Sequence, residues 1–266
     1  MPTVKVNDIA LYYEDRGEGE PLILIHGLGS SALDWKPQLD DLSRDYRVIA
    51  LDLRGHGRSE RLKNGYSLPL FASDVAGVLQ TLNIESAHIV GLSLGGCVAF
   101  QLAVDRPELV RSLSIINSGP SLVLDTPLRK LVVWWRFALI NLFGLPVLGK
   151  VVARRLFPDA TQEELRRTFV ERFADNDPHI YKQSLKALVG WSVRDRLGDI
   201  RVPVLVLAAD QDYTPVSMKE EFVPLIPQAH LKVIPDAHHA APMECPDKVN
   251  RMLREFLEGL PAMGTK

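Results

Sequence analysis

Six consecutive residues, Gly91-Leu92-Ser93-Leu94-Gly95-Gly96, carry the strongest chemical signal in the chain. The apolar run Ala87 to Val90 precedes them, and a small, apolar helical pattern from Leu94 to Val104 follows. A serine at such a strand-to-helix junction is forced into a sharp turn that lifts its oxygen out of the sheet. Only small residues two positions to either side permit that turn. The new helix presents its first amides at the same point, so the amide of Leu94 can face a developing oxyanion. A second turn, His26-Gly27-Leu28-Gly29, ends the apolar run Leu22 to Ile25, and the Leu28 amide is the candidate for a second oxyanion donor. The chemistry that fits is attack of Ser93 on a carbonyl. A serine hydroxyl is a poor nucleophile at its own pKa, so it needs a base, and seven histidines are available. His88 lies inside a strand pattern and reads as a packed core residue.

These residues need a frame. Short apolar runs without alternation occur at Leu22 to Ile25, Arg47 to Leu51, Ala87 to Val90, Leu113 to Ile116, Val204 to Ala208 and Leu231 to Ile234. Runs of this kind suit parallel strands buried on both faces. Val4, Val6, Ile9, Leu11 and Tyr13 alternate with polar residues around Asn7-Asp8, which predicts an N-terminal hairpin. Helical patterns separate the runs: Pro69 to Leu82, Leu94 to Val104, Lys219 to Ile226 and Asp247 to Leu257. Alternating strands and helices predict an α/β fold, a doubly wound, mostly parallel sheet of eight strands. Ligands should bind at the carboxyl ends of its strands. Between Pro120 and Arg194 the alternation stops, and helices are expected at Leu128 to Leu142, Gly149 to Arg155, Thr161 to Asn176 and Pro178 to Val189. Residues 1–119 and 195–266 then form the core domain, and residues 120–194 an inserted helical cap.

With 266 residues, 46% of them apolar, the chain can bury a large core, and a net charge of −2 gives no attraction to nucleic acid. Two cysteines without a CxxC pair argue against a disulfide framework and against a metal site. The N-terminus lacks the basic-then-apolar pattern of an export signal, so a reducing, cytoplasmic setting is expected. The most apolar stretch, Leu131 to Gly149, is interrupted by Arg136, Asn141, Gly144 and Pro146 and does not read as a membrane span.

The chain resembles the α/β-hydrolase superfamily, in particular its serine-nucleophile, esterase- and lipase-like members with a helical cap. The resemblance rests on His26 to Gly29, on Asp52-Leu53-Arg54-Gly55-His56-Gly57-Arg58-Ser59 and on Gly91 to Gly96, in that order, and it spans essentially the whole chain. It implies that Asp52 to Ser59 is structural and that His56 is a loop histidine. Family members commonly show a histidine, four residues, an acid, one residue and then proline. In this chain the pattern selects His239, with Glu244 and Pro246; His238, standing where glycine is frequent, is the alternative base. The family places an orienting acid after the next-to-last strand, which implies Asp212, with Asp210 as the alternative. The resulting order of Ser93, Asp212 and His239 is that of the family.

The resemblance further implies hydrolysis of carboxylic esters with short to medium acyl chains, without cofactor or metal. A lactonase, a C–C bond hydrolase of ring-cleavage products or a cofactor-free peroxidase would use the same residues, and some relatives are slow-turnover ligand receptors. Epoxide hydrolases and dehalogenases use a carboxylate nucleophile, which Ser93 argues against. The cap carries Trp134, Trp135 and Phe137, expected to line an apolar acyl pocket, and six basic residues with no acid from Arg129 to Arg155. That composition also admits peripheral contact with a lipid surface, though not stable insertion. The expected partner is a small-molecule ester.

Overall fold

A computed structural model describes residues 2–123 and 126–261. It contains eight strands: β1 (Thr3–Val6), β2 (Ile9–Arg16), β3 (Pro21–Ile25), β4 (Arg47–Leu51), β5 (Ala87–Leu92), β6 (Val110–Ile116), β7 (Val204–Ala209) and β8 (Ala229–Ile234). They form one sheet in the order β1-β2-β4-β3-β5-β6-β7-β8. The first two pairings are antiparallel, and every pairing from β4 onward is parallel. The N-terminal hairpin turns on Asn7 and Asp8, both at positive φ (44° and 61°), as a two-residue hairpin turn requires. Tyr13 keeps the predicted phase and packs, partly buried, on the same core as Ile9 and Leu11; Tyr12 is buried as well, with the Arg58 guanidinium over its ring at 3.6 Å.

Helices cover both faces of the sheet. Alternate residues of one strand diverge: Leu22 and Leu24 pack toward α1 (Lys36–Leu42) and α9 (Pro246–Glu258), whereas Ile23 and Ile25 pack toward α2 (Leu68–Thr81) and α3 (Leu94–Asp105). This two-sided burial explains why the parallel strands read as unbroken apolar runs. The remaining core helices are α7 (Val216–Phe222) and the single turn α8 (Ala241–Glu244).

Between β6 and β7 the described residues form three helices, α4 (Pro127–Leu156), α5 (Glu163–Ala174) and α6 (Pro178–Leu188). The chain enters and leaves this segment through a paired neck. Val193 N–H donates to Pro120 O (2.8 Å), Leu122 N–H to Trp191 O (2.9 Å) and Gly190 N–H to Leu122 O (2.9 Å). The two helices expected at Leu128 to Leu142 and Gly149 to Arg155 are one element broken at Gly144, which adopts φ 74° and ψ 179° two residues before Pro146. By length and composition alone, Lys130–Leu156 would suffice to cross a membrane. Here its inner residues Ile140, Leu145 and Leu148 pack with Phe169 and Phe173 of α5 and Tyr181 of α6. The same cluster takes in Leu28 and Ala240, so the helical segment rests directly on the loops that surround Ser93.

Candidate active site

Ser93 sits between the end of β5 and the start of α3 at φ 54° and ψ −115°, a conformation that costs a side-chain-bearing residue about 1–3 kcal/mol. The neighbouring glycines make it attainable. A Cβ on Gly91 would lie 2.3 Å from Gly95 O, one on Gly95 2.1 Å from Ile25 O, and one on Gly96 2.5 Å from Ser118 Cβ. The elbow is tied to the end of β6: Ser93 N–H donates to Ile116 O (3.1 Å), and Ser118 Oγ donates to Ser93 O (2.6 Å). Leu94 opens α3, so its amide is one of the first-turn donors that no carbonyl of the helix can reach. The turn at His26 to Gly29 runs alongside, and a Cβ on Gly27 would lie 3.5 Å from Ser93 Cβ. Leu28 is thereby brought beside the elbow.

The loops after β7 and β8 bring Asp212 and His239 together. His239 Nδ1–H donates to Asp212 Oδ1 at 2.9 Å, and both residues are buried. That bond leaves Nε2 as the ring nitrogen able to accept a proton. Nε2 is buried and makes no hydrogen bond among the described residues. Nε2 is thus free of a hydrogen bond to Ser93 Oγ. The alternatives are occupied elsewhere. His238 donates from its backbone N–H to Glu244 Oε2 (2.6 Å) and pairs through Nδ1 with Glu244 Oε1 (2.7 Å). Asp210 Oδ1 accepts from Ala237 N–H (3.2 Å), which is a local turn bond.

Four supporting residues were not visible in the sequence. Lys219, with 1% exposure, lies 3.6 Å from Asp212 Oδ2, which also accepts a hydrogen bond from Thr214 Oγ1. Burial alone would push the Asp212 carboxyl up; the His239 hydrogen bond and charge, Thr214 and Lys219 outweigh it and hold the carboxyl below its usual range. Asn117, at φ 47° after β6, spans three strand ends. Its Nδ2 donates to His238 O (3.2 Å) and His239 O (3.0 Å), and its Oδ1 accepts from Ala209 N–H (2.8 Å). Tyr213 stacks on His239, with ring centroids 4.2 Å apart and planes at 27°.

This arrangement ranks the two aspartates. Asp212→Asn is expected to lower kcat by roughly 10³- to 10⁴-fold, because the orienting carboxylate fixes the imidazole tautomer and stabilises its charged form. Asp210→Asn should cost less than about tenfold, since only a turn bond is weakened. Steady-state rates of the two variants check this, and the opposite order would transfer the orienting role to Asp210.

The family profile described as alpha/beta hydrolase fold matches residues 20–246 of the chain. The chain is an α/β-hydrolase. It is 29% identical over 280 residues to (E)-2-((N-methylformamido)methylene)succinate hydrolase of Acinetobacter baylyi, covering 96% of this chain and 97% of that one. It superimposes on the enol-lactonase of Burkholderia xenovorans with a TM-score of 0.89 at 26% identity, covering 97% and 100%. It also matches a thermophilic esterase of Thermogutta terrifontis with a TM-score of 0.85 at 28% identity, covering 96% of each chain.

In this α/β-hydrolase the Asp52 to Ser59 segment holds the loop below the elbow. Asp52 accepts from Ala32 N–H (2.6 Å) and Arg58 N–H (2.7 Å), and a Cβ on Gly57 would lie 2.2 Å from its carboxylate. His26 Nδ1–H donates to Gly27 O (2.7 Å) and its Nε2 accepts from Leu53 N–H (3.0 Å), so both nitrogens serve the frame. Burial pushes the His26 imidazole down to about 4, and burial followed by the neighbouring His26 pushes His56 down to about 3. Between pH 6.5 and 4 the unfolded chain takes up protons that the folded chain excludes. Stability present above pH 6.5 is therefore lost as the pH falls. The urea midpoint should decline between pH 6.5 and 5, above the main range of carboxylate titration; a flat midpoint there would contradict burial of the two rings as neutral groups.

The hydrolase's cap departs from expectation. Trp134 and Trp135 are 61% and 53% exposed and pair with each other, with ring centroids 6.0 Å apart. With Leu131 and Leu142 they form a stripe opposite Val133, Arg136, Phe137 and Ile140, which turn inward. The structure does not bring the two tryptophans to Ser93, because α4 is apolar on both faces and its composition does not reveal which one packs. Phe137 does join the cluster that includes Leu28. Among the described residues no three His, Cys, Asp or Glu side chains converge as metal ligands would.

Proposed function

We propose that the chain is a serine hydrolase that cleaves carboxylic esters of short to medium acyl chain through an acyl-enzyme intermediate. The observation that carries this reading is the buried 2.9 Å bond from His239 Nδ1 to Asp212 Oδ1 beside the left-handed Ser93. His239 Nε2 takes the proton of Ser93 Oγ as that oxygen attacks the ester carbonyl. The amides of Leu28 and Leu94 donate to the oxyanion, and Asp212 stabilises the imidazolium. The imidazolium then protonates the departing alcohol. Water attacks the acyl-enzyme with His239 again as base, releasing the acid and restoring Ser93. No cofactor enters these steps.

The esterase of Thermogutta terrifontis supports this substrate class. The likeness to the Burkholderia enol-lactonase favours a second reading, a lactonase: a lactone is an internal ester and opens by the same steps. The test is turnover of p-nitrophenyl esters of graded acyl length, with lactones alongside, before and after labelling by a serine-directed phosphonate and peptide mass spectrometry. Multiple turnovers on esters, stopped by one adduct on Ser93, are expected. An adduct with lactone turnover alone would select the second reading. Stalling after about one ligand per protein would indicate a receptor, and no adduct would remove Ser93 from the reaction.

A further inference from the structure

Arg136 and Arg155 stand on opposite sides of the break in α4. In an unbroken helix they would be roughly 28 Å apart. The break at Gly144 folds them back onto the same side chain, Tyr213. The Arg155 guanidinium carbon lies 5.5 Å from the centroid of the Tyr213 ring, and the half-buried Arg136 is held against the phenol groups of Tyr213 and Tyr181. Tyr213 lies flat on His239, so one aromatic ring separates two positive charges from the base.

Neither arginine has a carboxylate partner among the described residues, and no Asp or Glu occurs between Pro127 and Pro158. The two phenols supply no anion: burial pushes Tyr181 up, and desolvation of its hydroxyl pushes Tyr213 up although the residue keeps 45% exposure. Arg155 stays exposed to water, but the half-buried Arg136 is partly withdrawn from it without a counter-ion, which is costly, and aromatic contacts offset only part of that cost. An arriving anion removes the imbalance. The planar guanidinium fork of Arg136 suits a planar, bidentate carboxylate.

We propose that Arg136, reinforced by Arg155, binds a carboxylate on the acyl part of the substrate, so that the acid released is a dicarboxylate. The inference rests on the ester-hydrolase reading given above. The acyl group stays bound through both half-reactions, so an anchor on it serves acylation and deacylation alike.

The test compares p-nitrophenyl hydrogen adipate with p-nitrophenyl hexanoate, which have acyl chains of equal length. The wild type is expected to favour the charged ester by about 100-fold in kcat/KM, and Arg136→Gln should collapse that ratio to within about threefold. Arg136→Lys, which keeps the charge but not the fork, should give an intermediate ratio, and it decides the matter if Arg136→Gln does not fold. In parallel, calorimetry should detect adipate binding to Ser93→Ala and its loss when Arg136→Gln is added. No preference in the wild type, or an unchanged ratio in the variants, overturns the proposal. Adipate binding that depends on Arg136, without turnover of either ester, would uphold the carboxylate site and instead remove the ester reading.

Discussion

With Ser93 as the proposed nucleophile, Ser93→Ala is expected to lower ester turnover by roughly 10⁵-fold or more, the loss typical of deleting the nucleophile from a triad that acts as a unit. The fold should persist. Ser93 Oγ is not among the hydrogen-bonded atoms of the elbow, whose ties run through the backbone of Ser93 to Ile116 O and Ser118 Oγ. Alanine keeps the Cβ at φ 54° and therefore keeps the strain. Ser93→Gly behaves differently. Glycine occupies this conformation without penalty, so the variant should be equally inactive but more stable by about 1 kcal/mol, after allowing for the greater freedom of glycine in the unfolded chain. Rates with p-nitrophenyl esters and thermal melts of both variants test the pair of statements. Activity of Ser93→Ala within tenfold of wild type would sink the assignment. A Ser93→Gly less stable than Ser93→Ala would show that the elbow stores no strain.

Gly95→Ala should damage folding itself. The added Cβ would fall 2.1 Å from Ile25 O and 2.7 Å from His26 O. Both atoms belong to backbone at the end of a central strand, so no side chain can swing aside. Overpacking against movable neighbours costs about 1–3 kcal/mol; against fixed backbone a loss of about 4 kcal/mol or more is expected, a large share of a total of about 5–15. The melting temperature should drop by roughly 10 °C or more, or soluble protein should not accumulate. Gly198→Ala is the control, since nothing lies within 4 Å of its Cβ position and its φ is ordinary. A Gly95→Ala protein melting within a few degrees of wild type would mean that α3 can withdraw from β3.

The parallel strands were legible because burial on both faces leaves unbroken apolar runs, and the elbow because glycine and serine at fixed offsets have few other uses. Register with a family pattern selects His239 over His238, and in the structure Glu244 engages His238 while Asp212 engages His239. Lys219 was hidden, since a lone lysine in an amphipathic helix reads as exposed, and its burial is made tolerable by the charge of Asp212 together with hydrogen bonds to Thr214 and Pro215. The meeting of Arg136, Arg155 and Tyr213 was equally hidden. It depends on the angle at Gly144 and on contacts between residues far apart in sequence, which no local pattern records.

The paired neck at Pro120 to Leu122 and Gly190 to Val193 closes the helical segment on itself. The sheet consequently sees the roughly seventy residues beyond the neck as one short loop, and their length adds only logarithmically to the cost of joining β6 to β7. A lineage can therefore exchange the whole roof of the site, with its arginines and tryptophans, without renegotiating the strands and elbow beneath.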